Sequence, residues 1–162
     1  MRATTMSVAP FVQTSPVVAR KMLDMSQIKP NEVLYDLGCG DGRLVILAAK
    51  NGVAKAIGIE YREDVMARAR AEVKRLNLEE RITLIQADFF DVPISEADVV
   101  MLYLSPGANE RLRPKLEAEL KPGARVISHD FEIPGWKPST IQVHDFGGGW
   151  NATIYAYQMS GT

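Results

Sequence analysis

The chain has 162 residues, of which 46% are hydrophobic, and its formal net charge at pH 7 is −1. This length and composition predict a single globular domain, residues 1–162, with enough apolar surface to form a core. The near-neutral charge excludes a global positive field that would attract nucleic acid or an anionic membrane.

Cysteine content and hydropathy limit the cellular setting. The single cysteine, Cys39, excludes an internal disulfide, and no Cys/His spacing indicates a metal site. No apolar run approaches the roughly 20 residues needed to span a bilayer. Residues 1–9 lack the apolar centre of a signal peptide. We therefore expect a cytoplasmic protein without a bound metal.

The first predicted element is a helix after an irregular stretch, residues 1–14. Ser15-Pro16 predicts its start, because serine is a good N-cap and proline suits the first helical position. Residues 29–31 (Lys-Pro-Asn) end this helix. We expect residues 1–28 to cover the entrance to the ligand site.

Strand and helix patterns alternate through the rest of the chain. The predicted strands are 32–37, 54–60, 81–87, 97–104, 124–130, 140–146 and 151–159; the predicted helices are 42–51, 63–77 and 108–120. Pro114 lies within the predicted helix 108–120, and proline is tolerated better there if the first turn of the helix lies near that residue. This order predicts an α/β fold: a doubly wound, Rossmann-like, mostly parallel seven-stranded sheet with an antiparallel C-terminal strand pair.

Three apolar runs end on an acid, at Asp36, Glu60 and Asp88. Singly, these acids could be a loop cap, a surface acid and a turn former. In an open parallel sheet, however, ligands bind outside the carboxyl ends of the strands. The three acids are therefore predicted to line one crevice.

A glycine-rich loop follows the first strand, with Gly38, Gly40 and Gly42 at alternate positions. Glycines let the backbone turn sharply and approach a ligand closely, and the following helix offers free N–H groups. The dinucleotide pattern G-x-G-x-x-G fits poorly, because Arg43 occupies the position of its third glycine. A nicotinamide-dependent oxidoreductase remains an alternative at this point.

The acids favour a different cofactor. Glu60 follows Asp36 by 24 positions, near the spacing at which an acid receives ribose hydroxyls. Asp88 can accept from an adenine amine, and Asp36 would meet a cationic group at the loop. Three acids suit a ligand that carries a sulfonium and an ammonium, which is S-adenosylmethionine. Tyr61 and Phe89, which follow two of the acids, complete the predicted cofactor site.

The motif Asp36-x-Gly38-x-Gly40-x-Gly42, with Glu60 and Asp88, resembles that of the class I (seven-β-strand) S-adenosylmethionine-dependent methyltransferases. Residues 10–16, 36–43 and 128–136 resemble more narrowly the small archaeal-type protein-lysine methyltransferases and their mitochondrial relatives. This resemblance implies methylation of accessible lysines in protein substrates. Gln13 and Ser15 depart from the family's aromatic-Val-Pro-Thr-Pro segment.

On this resemblance the acceptor site is predicted from residues flanking the crevice. Tyr103 ends the fourth strand and is the candidate catalytic residue, with a core aromatic as the alternative. The predicted substrate-contacting residues are Phe11, Thr14, Phe131 and Trp136. Trp136 has an alternative interpretation as a packing anchor for its loop.

Residues 103–106 (Tyr-Leu-Ser-Pro) lack the Asn/Asp-Pro-Pro-Tyr/Phe pattern of enzymes that methylate bases or amides, which favours an aliphatic amine. His129 is not predicted to act as a general base with Asp130, because neighbours on a strand point to opposite faces. A methyltransferase for small molecules or RNA is the alternative activity, and a non-catalytic cofactor-binding subunit is a further one.

Overall fold

The computed structural model describes residues 14–160. Its helices are α1 (Pro16–Ser26), α2 (Arg43–Lys50), α3 (Glu63–Arg75) and α4 (Pro106–Glu119). Its strands are β1 (Val33–Leu37), β2 (Lys55–Glu60), β3 (Ile82–Gln86), β4 (Val99–Leu102), β5 (Arg125–His129), β6 (Thr140–Gly147) and β7 (Trp150–Gln158). A short 3₁₀ turn covers Phe89–Asp91.

The seven strands form one sheet in the order β3-β2-β1-β4-β5-β7-β6. Strands β1 to β5 are parallel, and β7 runs antiparallel to both β5 and β6. This confirms the predicted fold class. The strand order reverses between β1 and β4, which makes their carboxyl ends the switch point where such sheets bind ligands.

Helices cover both faces of the sheet, and β4 shows why its sequence is almost wholly apolar. Val99 and Met101 pack on one face with α1 and α2, whereas Val100 and Leu102 pack on the other with α4. All four side chains are fully buried, as expected for a central parallel strand. The central strands are thus held firmly, and their carboxyl ends form a fixed edge for a site.

Two predicted boundaries near the switch point were wrong. Helix α4 begins at Pro106, so Pro114 lies inside the helix rather than in its first turn. The cap explains this start, because Ser105 Oγ accepts a hydrogen bond of 3.1 Å from the N–H of Ala108 and Pro106 occupies the first helical position. Strand β4 ends at Leu102, which leaves Tyr103 outside the sheet ladder.

Between residues 14 and 160, no helix has the length and apolarity needed to cross a membrane. That part of the chain also contains no group of three or more His, Cys, Asp or Glu side chains placed to hold a metal ion.

Candidate active site

The glycine loop lies across the carboxyl end of β2. The N–H groups of Gly38 and Cys39 both donate to the carbonyl of Ile59, at 2.8 and 2.9 Å. Gly38 has a φ of +78°, and a Cβ there would lie 3.1 Å from Leu104. Position 38 therefore requires glycine for both conformation and space.

Glu60 is fixed to this loop by its carboxylate. Oε1 accepts from the N–H of Gly40 at 3.0 Å, and Oε2 accepts from the N–H of Arg62 at 2.9 Å. The side chain is only 8% exposed. Two backbone donors hold it in one orientation at the end of β2, with lone pairs remaining for a ligand. Tyr61, next along the chain, is about half exposed.

Asp36 is buried at the end of β1 and is 4% exposed. Burial, together with the nearby carboxylates of Glu60 and Asp41, raises the pKa of Asp36 to about 7. A buried acid beside other acids is stabilised by a cation, which restores its ordinary ionisation. This electrostatic environment suits a positively charged ligand at the loop.

The predicted adenine side of the crevice is formed after β3. Asp88 Oδ1 accepts from the N–H of Phe90 at 3.0 Å, so this acid does form a turn. Phe89 is buried, and its ring edge approaches to 4.0 Å of the position that a Cβ on Gly38 would take. The 3₁₀ turn therefore brings Phe89 to the glycine loop, and Asp88 caps the start of that turn.

An aromatic cluster lies at the carboxyl ends of β4 and β5. The ring of Tyr103 stacks on His129 with 3.8 Å between centroids, and its centroid lies 6.3 Å from that of Phe131. Burial, and to a lesser degree the Asp130 carboxylate, raises the pKa of Tyr103. Its hydroxyl therefore remains protonated at neutral pH.

His129 and Asp130 are paired, which corrects the expectation that they point apart. Asp130 has a φ of +66°, so the chain turns left-handed as β5 ends. This turn brings Asp130 Oδ2 to 3.5 Å from His129 Nε2, while Thr14 Oγ1 lies 3.3 Å from Nδ1. Burial lowers the pKa of His129 despite the carboxylate. A neutral imidazole with its proton on Nε2 satisfies both contacts.

The other predicted acceptor residues are placed differently. Trp136 donates from Nε1 to Glu117 Oε2 at 2.9 Å and packs edge-on against Tyr157. These contacts are those of a packing anchor on α4 and β7. Phe11 lies outside the described residues.

Comparison with known proteins decides the family. The model of the ANTKMT methyltransferase domain matches residues 36–140. A protein-lysine N-methyltransferase of Saccharolobus islandicus is 45% identical over 150 residues, which cover 91% of this chain and 92% of that protein. The chain belongs to the ANTKMT methyltransferase family.

Further relatives support the assignment. The adenine nucleotide translocase lysine N-methyltransferase of Mus musculus is 29% identical over 94% of this chain, which spans 64% of that longer protein. A solved structure described as an RNA methyltransferase from Salinibacter ruber, in complex with S-adenosyl-L-homocysteine, is 40% identical with a TM-score of 0.84. It aligns over 92% of this chain and 94% of its own. The predicted S-adenosylmethionine dependence is confirmed, and the nicotinamide alternative is discarded.

The residues at the switch point of this methyltransferase fit S-adenosylmethionine. Asp36 provides a buried carboxylate that a cation would stabilise, and the Gly38 backbone leaves room that a side chain would fill. Glu60 presents a fixed carboxylate acceptor. The chemistry of these donors and acceptors matches a cationic nucleoside.

Two residues make structural contacts beside this candidate site that the sequence did not predict. Arg43 pairs with Asp41 at 2.7 Å and donates to the carbonyl of Thr14 at 3.0 Å, so it joins the glycine loop to the N-terminal segment. Asn109 of α4 is fully buried and donates to the carbonyls of Phe131 and Glu132. Asn109 could have been noticed as a polar residue within the apolar stripe of its helix.

Proposed function

We propose that the protein transfers a methyl group from S-adenosylmethionine to the side-chain amine of lysine in protein substrates. The observation that carries this proposal is the 45% identity, over nine-tenths of both chains, to a protein-lysine N-methyltransferase. The aromatic cluster beside the predicted cofactor site supports it, because that cluster offers an apolar face to an aliphatic amine.

We assign cofactor binding to the crevice at the switch point. Glu60 would accept the ribose hydroxyls, Asp88 the adenine amine, and Asp36 would face the cationic part of the ligand. The remaining cofactor-binding residues are the loop glycines Gly38, Gly40 and Gly42 together with Tyr61 and Phe89. S-adenosylmethionine supplies an electrophilic methyl group on its sulfonium.

The chain itself has to prepare the lysine. Its ordinary pKa of about 10.4 means that deprotonation at pH 7 costs roughly 4–5 kcal/mol. An amine transferred from water to the faces of Tyr103 and Phe131 loses hydration, which lowers its pKa and supplies part of that free energy. Fixed alignment of the amine contributes further to the rate.

Tyr103 is the residue we assign to catalysis, with His129 as its positioning residue. Both ring nitrogens of His129 have neighbours, Thr14 on one side and Asp130 on the other. Its stacking face is therefore what it offers to Tyr103.

The Thr14 contact supports the proposal that residues 1–28 cover the entrance of a single domain, residues 1–162. The buried, unpaired Cys39 is in keeping with a reducing, cytoplasmic location.

The test is incubation of the protein with methyl-labelled S-adenosylmethionine and a total cell extract that contains protein and RNA. Protease digestion, nuclease digestion and amino-acid analysis then locate the label. We expect methyl-lysine from the protein fraction. Label found only in RNA or small molecules would contradict the proposal.

Methylation of RNA is the second candidate, and the 40% identical Salinibacter ruber structure favours it by its description as an RNA methyltransferase. The net charge of −1 argues against it, since nucleic-acid binding depends largely on contacts between phosphates and basic residues. The segment after β4 also lacks the pattern that receives a planar base amine.

A further inference from the structure

Strand β6 forms an edge of the sheet and has a neighbouring strand on one side only within residues 14–160. The direction of its backbone groups follows from β5 and β7. The N–H of Asp130 donates to the carbonyl of Thr153 at 2.6 Å, so the backbone of Thr153 faces β5. Because successive residues of an antiparallel strand face opposite sides, the backbone of Ile154 faces β6.

This alternation determines which groups of β6 are open. Gln142 lies opposite Ile154 and therefore pairs with it. Its neighbours Ile141 and Val143 then direct their N–H and C=O groups away from β7, toward the open edge. The open edge thus presents the backbone N–H and C=O groups of two alternate residues, Ile141 and Val143, to an added strand.

The same hairpin carries much of the exposed apolar surface of the described chain. Exposed fractions are 52% for Ile141, 63% for Val143, 47% for Phe146 and 76% for Trp150. Edge strands are usually protected by lysine or proline, and residues 140–147 contain neither. Asp145 and the register shift between Asp145 and Gly147 protect the end of the strand, which leaves Ile141 and Val143 as the part of the edge suited to strand addition.

The open edge is continuous with the acceptor side of the sheet. Ile154 lies opposite both His129, the last residue of β5, and Gln142 of β6, so residues 143–153 extend beyond the carboxyl end of β5. Asp130, which touches His129, also accepts from the N–H of Thr153 at 3.0 Å. Asp130 and Glu132 follow β5, and their charges act on Tyr155 of β7, which lies opposite Ile141; Asp145 lies on β6 itself.

We propose that β6 binds an extended segment of the protein substrate as an eighth strand, held by the backbone groups of Ile141 and Val143. This inference rests on the proposed function. The acids complement a lysine-bearing chain and disfavour an anionic membrane. Because backbone pairing is largely independent of side chains, such docking would allow many substrate sequences.

The geometry also sets where the target lysine lies. Strands are spaced by about 4.8 Å, so an added strand would lie roughly 14 Å from β5. At about 3.3 Å per residue, and with the long lysine side chain covering about 6 Å of the distance, the lysine must be at least about two or three residues from the docked segment. A very short peptide can therefore reach the acceptor site without using β6.

The experiment compares two acceptors: reduced, carboxymethylated ribonuclease A as an unfolded lysine-bearing protein, and the tripeptide acetyl-Gly-Lys-Gly-amide. Val143→Pro removes the outward N–H without removing a bond to β7, and Val143→Ala is the matched control that keeps it. We expect Val143→Pro to raise KM for the unfolded protein about 3- to 10-fold. Its kcat, its activity on the tripeptide and its affinity for S-adenosylhomocysteine should stay at wild-type values.

Ile141→Pro tests the same edge if Val143→Pro fails to fold. An unchanged KM for the unfolded protein in a folded proline variant would overturn the docking proposal, as would equal effects of alanine and proline. The docking proposal would also be overturned if the wild-type protein bound lipid vesicles and Trp150→Ser did not, because a membrane would then occupy the edge. A wild-type dimer that is lost in Val143→Pro would overturn it too, because a second copy of the chain would then occupy the edge. A wild-type protein that labels lysine in a cell extract but not in the unfolded protein overturns docking alone. Absence of lysine label in both removes the proposed function as well.

Discussion

The imidazole of His129 stacks on the ring of Tyr103, with 3.8 Å between their centroids. Tyr103 directly follows β4, which ends at Leu102, and His129 is the last residue of the neighbouring strand β5. Thr14 and Asp130 hold the imidazole from either side. The position of Tyr103 at the proposed acceptor site is therefore set by the end of β5 and by Thr14 together.

Tyr103 is expected to act through its ring rather than through its hydroxyl. Tyr103→Phe keeps the stack on His129, and its kcat/KM for a lysine-bearing protein should stay within about threefold of wild type. Tyr103→Ala removes the aromatic face that desolvates the amine, and we expect a loss of about 10- to 100-fold, which corresponds to roughly 1.4–2.7 kcal/mol. Steady-state kinetics measure both. A large loss in the phenylalanine variant would instead assign the hydroxyl a direct role.

Glu60 is expected to dominate cofactor affinity. Hydrogen bonds to a carboxylate contribute about 1.5–3 kcal/mol each, so Glu60→Ala should weaken S-adenosylhomocysteine binding about 10- to 100-fold. Release of the Gly40 N–H from its acceptor adds to the loss. Isothermal titration calorimetry measures the change, with Glu63→Ala, an exposed acid three residues on, as the matched control. Equal affinities in the two variants would refute the role assigned to Glu60.

The fold was predictable because its signals are local. Alternating apolar segments identify the strands and helices, and an acid after an apolar run identifies Asp36 and Glu60 as residues at strand ends. The pairing of His129 with Asp130 was not predictable, because it depends on one left-handed residue. The hydrogen bonds of Asn109 were missed for another reason. They join residues 22 and 23 positions apart in the chain, and no periodicity records such contacts.

Asn109 should hold the loop after β5 and, through it, Phe131. Asn109→Ala removes a donor from the partly buried carbonyls of Phe131 and Glu132, although the Phe131 carbonyl still accepts from Ser128 Oγ. We therefore expect the free energy of unfolding to fall by about 1–2 kcal/mol. Urea unfolding measures this loss, with the exposed Asn151→Ala as the control that should change stability little. Affinity for S-adenosylhomocysteine should remain near wild type, whereas kcat should fall. A parallel loss of affinity would show that the loop also supports the cofactor site.

Glu32 should stabilise the fold above acidic pH. Its carboxylate receives two hydrogen bonds from Arg125, at 2.8 and 3.1 Å, and this pairing lowers the pKa of Glu32 to about 2. A lowered carboxyl pKa adds stability that is complete above the unfolded value of 4.5 and is lost as pH falls through 2. Wild type should therefore exceed Glu32→Gln in urea-unfolding free energy at pH 7, and the difference should shrink between pH 4.5 and 2. A difference independent of pH would contradict the ion pair as its source.

Asp36 should oppose folding and favour the cationic cofactor. Its folded pKa of about 7 lies above its ordinary value of 3.8, so the folded protein binds more protons than the unfolded chain between these values. Its contribution to stability therefore falls as pH rises from 4 to 7. Asp36→Asn removes this penalty, and we expect a higher melting temperature than wild type at pH 8 without ligand.

The same substitution should weaken binding of the sulfonium-bearing donor. Wild-type affinity for S-adenosylmethionine should increase as pH rises through about 7, because the carboxylate form of Asp36 is the one that attracts a cation. S-adenosylhomocysteine lacks the sulfonium charge and should show a weaker pH dependence. In Asp36→Asn, the affinities for the two ligands should converge and the pH dependence should flatten. Calorimetry in buffers of different ionisation enthalpy would detect the proton released by wild type at pH 6.5, and release of the same size in Asp36→Asn would assign it to another group.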